Sequence, residues 1–220
     1  MNLFIIVYLA ALACYLYTRN SGKKIARAIN KYIMATMYLV LAITMILKKN
    51  GFASLHTLFI AALIFAWLGD IFLVFDFGRG GDFFLAGNVC FIMYEQIVML
   101  TNGKKWADFI WTFAAAAVLL CSFILACQKW PMKFKLGKMR WPMTFYLSTI
   151  ITHGMTGLAM ALLLPGTNWM VMGIGSVLFM ISDLILTAYK FVFNNNVWLV
   201  RANSVTYFTG LLLIALSTAM

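Results

Sequence analysis

ASLHTLFIAALIFAWLGDIFLVF, residues 53–75, carries one formal charge, Asp70, in an otherwise apolar run. A helix of roughly 20 apolar residues crosses a bilayer, so this stretch reads as a membrane span with an acid inside it. An ionised group at bilayer depth costs from about 2.5 kcal/mol upward, which marks an intramembrane acid as a functional residue by default. Residues 168–190 repeat the arrangement around Asp183.

Working outward, the same pattern fills the chain. It is 64% hydrophobic and only 10% charged, with a mean hydropathy of +0.93; soluble domains carry about 25% charged residues. Polar clusters divide it into about eight apolar runs, near residues 3–17, 30–47, 53–75, 83–101, 106–127, 141–164, 168–190 and 198–219. The expected fold is all-α: a polytopic membrane helical bundle of about eight transmembrane helices, with residues 1–220 as a single transmembrane domain. Gly78-Arg79-Gly80-Gly81 is expected to form the tight turn between the third and fourth spans, making them antiparallel neighbours.

A net charge of +11 suggests nucleic acid in a soluble protein. Here the cations fall between apolar runs, where the positive-inside rule explains them, and no nucleic-acid partner is expected. Thirteen of the 17 Lys and Arg lie in alternate loops: Arg19 to Lys31, Arg79, Lys129 to Arg140, Lys190 and Arg201. Lys48, Lys49, Lys104 and Lys105 occupy the opposite side. This bias places the basic loops in the cytoplasm and both termini outside. No Lys or Arg precedes the first run, the reverse of a signal peptide, so the run is expected to remain as a span. Cys14, Cys90, Cys121 and Cys127 lie in apolar runs without a Cys-x-x-Cys spacing, which points to packing rather than to a disulfide or metal. No cofactor is implied. The absence of targeting extensions suggests a multi-pass protein of a bacterial inner membrane.

The two aspartates belong to spans that run in the same direction. Asp70 precedes the polar turn at Asp76 by six residues and Asp183 precedes Lys190 by seven. At 1.5 Å rise per residue both lie roughly 9–10 Å from one boundary, which suits a shared site. Gly69 and Ser182, beside the acids, permit close helix approach. With no Lys or Arg inside either run, the pair suits acid–base work, one carboxyl protonated while the other is charged.

Around them stand the remaining candidate substrate-binding residues. Glu95, a third acid, either lines the same cavity from deeper in the bilayer or bonds locally to Gln96 or Tyr94. Asn88 and Tyr94 make the fourth run unusually polar, and Gly87 and Phe91 can pack on the third. His153 stands mid-span among Thr149, Thr152 and Thr156, as a packing residue or within reach of the cavity. Trp67, three residues before Asp70, is placed to wall the site, whereas the other tryptophans fall mostly near span ends as an interfacial belt. Asp76 and Asp82 are expected to be solvated, and Asp108 to cap the fifth span.

Three segments carry a family resemblance. GDIFLVF at 69–75, FFLAGNVCF at 83–91 and SVLFMISDLILTAYKF at 176–191 resemble, in order and spacing, the motifs of the YhhN-like lysoplasmalogenase family, and Tyr207-Phe208 lies near its usual final aromatic pair. Phe179, Ser182, Asp183 and Leu186 fit the last motif best. Glu95 and Val98 stand where the family usually has His and Tyr, Thr187 where it has Ala, and Lys31-Tyr32 where it has Lys-Pro. The resemblance implies an eight-span fold and hydrolysis of the vinyl-ether bond of a lysoplasmalogen or similar lysolipid. It makes Asp70 and Asp183 the catalytic pair, without deciding which is the acid, and the lysolipid and the bilayer the partners. Two other classes stay open: a proton-coupled transporter or channel using the same acids, and a non-catalytic scaffold in which both are replaceable.

Overall fold

A computed structural model of the chain describes residues 2–19, 24–49, 54–129, 137–193 and 196–219, which hold helices and no strand. The basic-loop residues Lys23, Lys133 and Lys135, together with Trp130 and Pro131, lie outside the described residues. The elements are α1 (Asn2–Arg19), α2 (Lys24–Lys49), α3 (Ser54–Phe72), α4 (Phe77–Thr101), the one-turn α5 (Trp106–Phe109), α6 (Trp111–Lys129), α7 (Arg140–Leu163), α8 (Thr167–Phe191) and α9 (Val197–Ser217). Among the described residues seven stretches are long and apolar enough to cross a membrane, α5 and α6 counting as one, and α1 is a shorter apolar helix. Large apolar side chains such as Leu3, Ile6, Val118 and Leu162 remain exposed on the outer surface, as lipid contact requires. Each helix satisfies its backbone internally, the condition for crossing hydrocarbon.

Packing follows a closed circuit. α2 packs on α3, α3 on α4, α4 on α7, α7 on α8, α8 on α9, and α9 back on α2. α1 fills the outer groove between α2 and α9, where the Tyr8 hydroxyl donates to the Phe208 carbonyl at 2.7 Å. α6 leans on α7 from outside. α8 crosses α9 closely: a Cβ on Gly175 would lie 2.8 Å from the Gly210 carbonyl oxygen. Small residues at such contacts substitute for the hydrophobic drive that lipid cannot provide.

Two helix starts differ from the sequence expectation. α2 begins at Lys24 rather than near residue 30, and α4 at Phe77 rather than near 83. Residues 73–76 make the turn between α3 and α4, whereas Gly78 to Gly81 already belong to α4. Asp76 caps α4 by accepting from the backbone of Gly78 at 2.8 Å and Arg79 at 3.3 Å, so the helix forms six residues earlier than hydropathy suggests. Glycine serves close approach there: a Cβ on Gly80 would meet the Leu73 backbone at 2.8 Å. The antiparallel pairing of α3 and α4 holds, with Gly87 set against Ala62 and the Phe91 ring 5.9 Å from Phe59. Asp108 closes a capping box on Lys105, whose backbone N–H donates to Oδ2 at 2.8 Å.

Candidate active site

Asp70 projects from the last turn of α3 into the middle of the circuit and is 1% exposed. Its Oδ1 lies 3.0 Å from Lys31 Nζ, and the same ammonium donates to the Asp70 carbonyl oxygen at 3.2 Å. Tyr207 of α9 and Tyr38 of α2 both donate to Oδ2, at 2.8 and 3.3 Å. A buried carboxylate with a cation and two hydroxyl donors has its charge offset on both oxygens.

No Lys or Arg lies inside the run that carries Asp70, yet a cation from another helix stands beside it. Lys31 reads as part of a loop cluster in the sequence. Because α2 starts early, its eighth residue, Lys31, is already two turns inside the helix, and the flexible four-carbon stem carries the ammonium to α3.

Asp183, on α8 two turns before the helix ends, is 3% exposed and has different company. The Tyr146 hydroxyl of α7 donates to Oδ2, and Ser182 Oγ lies 3.3 Å from Oδ1. Among the described residues no ion pair includes Asp183. Asn203 of α9 fixes the local backbone by donating to the Ser182 carbonyl at 2.8 Å.

Both aspartates line one cavity of about 40 Å³, together with Lys31, Phe84, Asn203 and Tyr207. Gly69 gives the Phe84 ring its place beside Asp70, since a Cβ there would lie 2.8 Å from that ring. A cavity this size has room for water, which needs about 10–15 Å³ of such volume and two or more polar partners.

The other candidate residues divide by location. Ser182 stands beside Asp183. Glu95 neither lines the aspartate cavity nor bonds to Gln96 or Tyr94; it reaches across the circuit instead. Thr156 of α7 donates to one carboxylate oxygen, Ser176 of α8 donates to the other at 3.0 Å, and His153 Nε2 lies 3.3 Å from that second oxygen. The His153 ring stacks on Phe91 at 4.7 Å and meets Phe179 edge-on at 5.7 Å; Phe179 in turn meets Tyr207 at 5.4 Å. Phe179 thus stands between two polar centres, the aspartate cavity and the Glu95–His153 cluster. Asn88 is buried on the α4 face that carries Phe84, Phe91 and Glu95, and neither of its side-chain polar atoms bonds to a described residue.

Tyr94 packs on Phe59, ring centroids 5.1 Å apart. Trp67 does not wall the cavity: its indole N–H donates to Thr36 of α2 at 3.1 Å, and it is absent from the lining. Three positions along a helix is a step of roughly 60° around its axis, enough to turn Trp67 away. Sequence reasoning missed Tyr38 and Tyr146 altogether, noted Lys31 only in the basic cluster and at the Lys-Pro position of the motif, and noted Tyr207 only for its motif.

A family model for the YhhN family matches residues 27–218, from the start of α2 to the end of α9. The chain belongs to the YhhN family. No curated protein and no solved structure matches it. In this YhhN protein the matched region supplies both aspartates and the four side chains that bond to them from other helices: Lys31, Tyr38, Tyr146 and Tyr207.

Two larger cavities of this YhhN chain meet over the aspartates. One, about 670 Å³, lies between α4, α7 and α8, with Leu85, Trp141, Met143 and Phe145 in its mostly apolar wall and Tyr146 at its inner edge. The other, about 900 Å³, opens among α1, α2, the α3–α4 turn, α8 and α9. Leu73, Phe77 and Leu186 border both, and Leu73 and Leu186 also line the aspartate cavity.

Proposed function

We propose that this protein is a membrane-embedded hydrolase of the vinyl-ether bond of a lysoplasmalogen or similar lysolipid, with Asp70 and Asp183 as its acid–base pair. The observation that carries the reading is that two acids from different helices line one small buried cavity in unlike surroundings. Pairs of titratable groups in contrasting environments are the usual basis for dividing acid and base roles. An apolar groove on one side and a polar chamber on the other suit a single-chain amphiphile, its chain among α4, α7 and α8. By the positive-inside bias the head group faces the cytoplasm, in what we take to be a bacterial inner membrane.

The chemistry follows from the pairing. Asp70, paired with Lys31, stays a carboxylate. Asp183, whose partners are hydroxyls, carries the proton. A vinyl ether reacts by taking a proton on the carbon remote from oxygen, which leaves an oxocarbenium ion. Asp183 delivers that proton, and the carboxylate of Asp70 stabilises the cation. Water adds to the carbon bearing oxygen as a carboxylate of the pair accepts its proton, giving a hemiacetal. Collapse of the hemiacetal, with proton return, yields one fatty aldehyde and one glycerophospho head group for each water consumed. Tyr146 and Tyr207 orient the two acids.

Transport is the other reading of buried acids. Ion sites in transporters are typically built on broken helices, whereas the helical pattern of α3 and α8 runs unbroken through Asp70 and Asp183. The test is purified protein given a lysoplasmalogen or its saturated alkyl analogue, with aldehyde read by coupled oxidation. Aldehyde from the vinyl ether alone supports the proposal. No aldehyde, with proton flux in liposomes, rejects it for transport.

A further inference from the structure

The 900 Å³ chamber over the aspartate cavity is lined by Arg19 of α1, Arg27 and Lys31 of α2, Lys190 of α8 and Arg201 of α9. Five cations from four helices face one concavity, and among the described residues no carboxylate lines it. The positive-inside rule accounts for cations in the loops at this end. It does not account for their convergence, nor for the burial of Lys31, which is 8% exposed. The chamber shares Tyr15, Arg19, Lys31, Leu73 and Leu186 with the aspartate cavity, so whatever occupies it adjoins the acids.

Aromatic rings hold some of these cations in place without neutralising them. The Arg19 guanidinium lies 5.5 Å from the Tyr15 ring centroid and donates to that residue's hydroxyl, while its buried Nε has no bonding partner among the described residues. Lys190 Nζ lies 5.2 Å from the Phe77 ring centroid. Cation–π contact positions a charge and leaves its field available. It also uses up the faces that a quaternary ammonium group would need. An amine in this chamber meets Arg19, Arg27, Lys190 and Arg201, while the adjoining Asp70 is already paired with Lys31; like-charge juxtaposition is a strong device against wrong partners.

We propose that the chamber is a head-group site selective for phosphate with net negative charge, a phosphomonoester or phosphoglycerol, over phosphocholine and phosphoethanolamine. This rests on the hydrolase reading for the identity of the bound lipid, and on the chamber alone for the charge preference. Arg27 and Lys190 are exposed at its rim and supply charge without being part of the buried core. Arg19 and Lys31 lie deeper and connect the head group to the reacting end.

The test is competition against a chain-labelled fluorescent alkyl lysophosphatidate bound to the full chain in phosphatidylcholine nanodiscs. The competitors are saturated alkyl lysolipids with phosphate, phosphoglycerol, phosphocholine or phosphoethanolamine heads, together with glycerol 3-phosphate and inorganic phosphate. Anionic heads are expected to compete roughly ten-fold or more better than zwitterionic ones, a difference of about 1.4 kcal/mol or more, and Arg27→Gln with Lys190→Gln to bring that ratio toward one. Equal competition by all heads, or a ratio unchanged in the double variant, overturns the proposal. Displacement by glycerol 3-phosphate or inorganic phosphate as effective as by the anionic lysolipid overturns its lipid part and makes the chamber a site for soluble phosphate. Aldehyde release measured in parallel separates the two readings. Release without head-group preference defeats this inference alone; preference without release leaves the site standing and defeats the hydrolase.

Discussion

Lys31 Nζ lies 3.0 Å from Asp70 Oδ1, with the aspartate 1% and the lysine side chain 11% exposed. The pair joins α2 to α3 inside the bundle, and removing one partner strands the other. Breaking a buried ion pair this way costs about 3–5 kcal/mol. Lys31→Met should therefore lower the thermal transition of the detergent-solubilised protein markedly, and adding Asp70→Asn should recover much of the loss. A double variant no more stable than Lys31→Met alone would show that the pair is not the source of the effect.

The two tyrosines on Asp70 are unequal. Tyr207 donates at 2.8 Å and Tyr38 at 3.3 Å to the same oxygen. A hydrogen bond to a charged group contributes about 1.5–3 kcal/mol, so Tyr207→Phe is expected to reduce aldehyde release by roughly ten-fold or more. Tyr38→Phe should cost less. The order of the two kcat/KM values is the check, and the reverse order contradicts the geometry.

Glu95 sits in a separate cluster, bonded to Thr156 and Ser176 and close to His153. Glu95→Leu leaves those buried groups without their acceptor, at about 1–3 kcal/mol. The expected outcome is a lower thermal transition with the KM for lysolipid little changed, because Phe179 intervenes. A large rise in KM with unaltered stability would place Glu95 at the substrate.

The α8–α9 crossing depends on two glycines in register. With the Gly210 carbonyl oxygen 2.8 Å from where a Gly175 Cβ would stand, Gly175→Ala forces the helices apart and is expected to destabilise by about 1–3 kcal/mol. Because α8 carries Asp183 and α9 carries Tyr207, activity should fall with it. Differential scanning fluorimetry of the variant gives the answer directly.

Much of this architecture was legible in the sequence because lipid imposes a simple code. Uninterrupted apolar runs gave the spans, and an acid inside such a run could hardly be ordinary surface. Asp70 and Asp183 stood out for that reason, and the structure places both on one cavity. Their partners did not stand out. A tyrosine in an apolar run looks like any other large hydrophobe until its hydroxyl finds a carboxylate, as in Tyr38, Tyr146 and Tyr207. Lys31 was hidden by a helix boundary: hydropathy starts α2 near residue 30, while the helix starts at Lys24. The charge bias identified the basic end of the bundle but not that Arg19, Arg27, Lys190 and Arg201 turn into a single chamber. That convergence depends on helix rotation, which a composition rule does not encode.

The role of the aspartate pair is tested most directly by running the reaction in heavy water on wild type, Asp70→Asn and Asp183→Asn, each shown to be folded at the assay temperature. Wild type should release an aldehyde with one deuteron on the carbon beside the carbonyl, and neither variant should release aldehyde. Turnover at the wild-type rate by either folded variant, or a wild-type product without that deuteron, would contradict the mechanism.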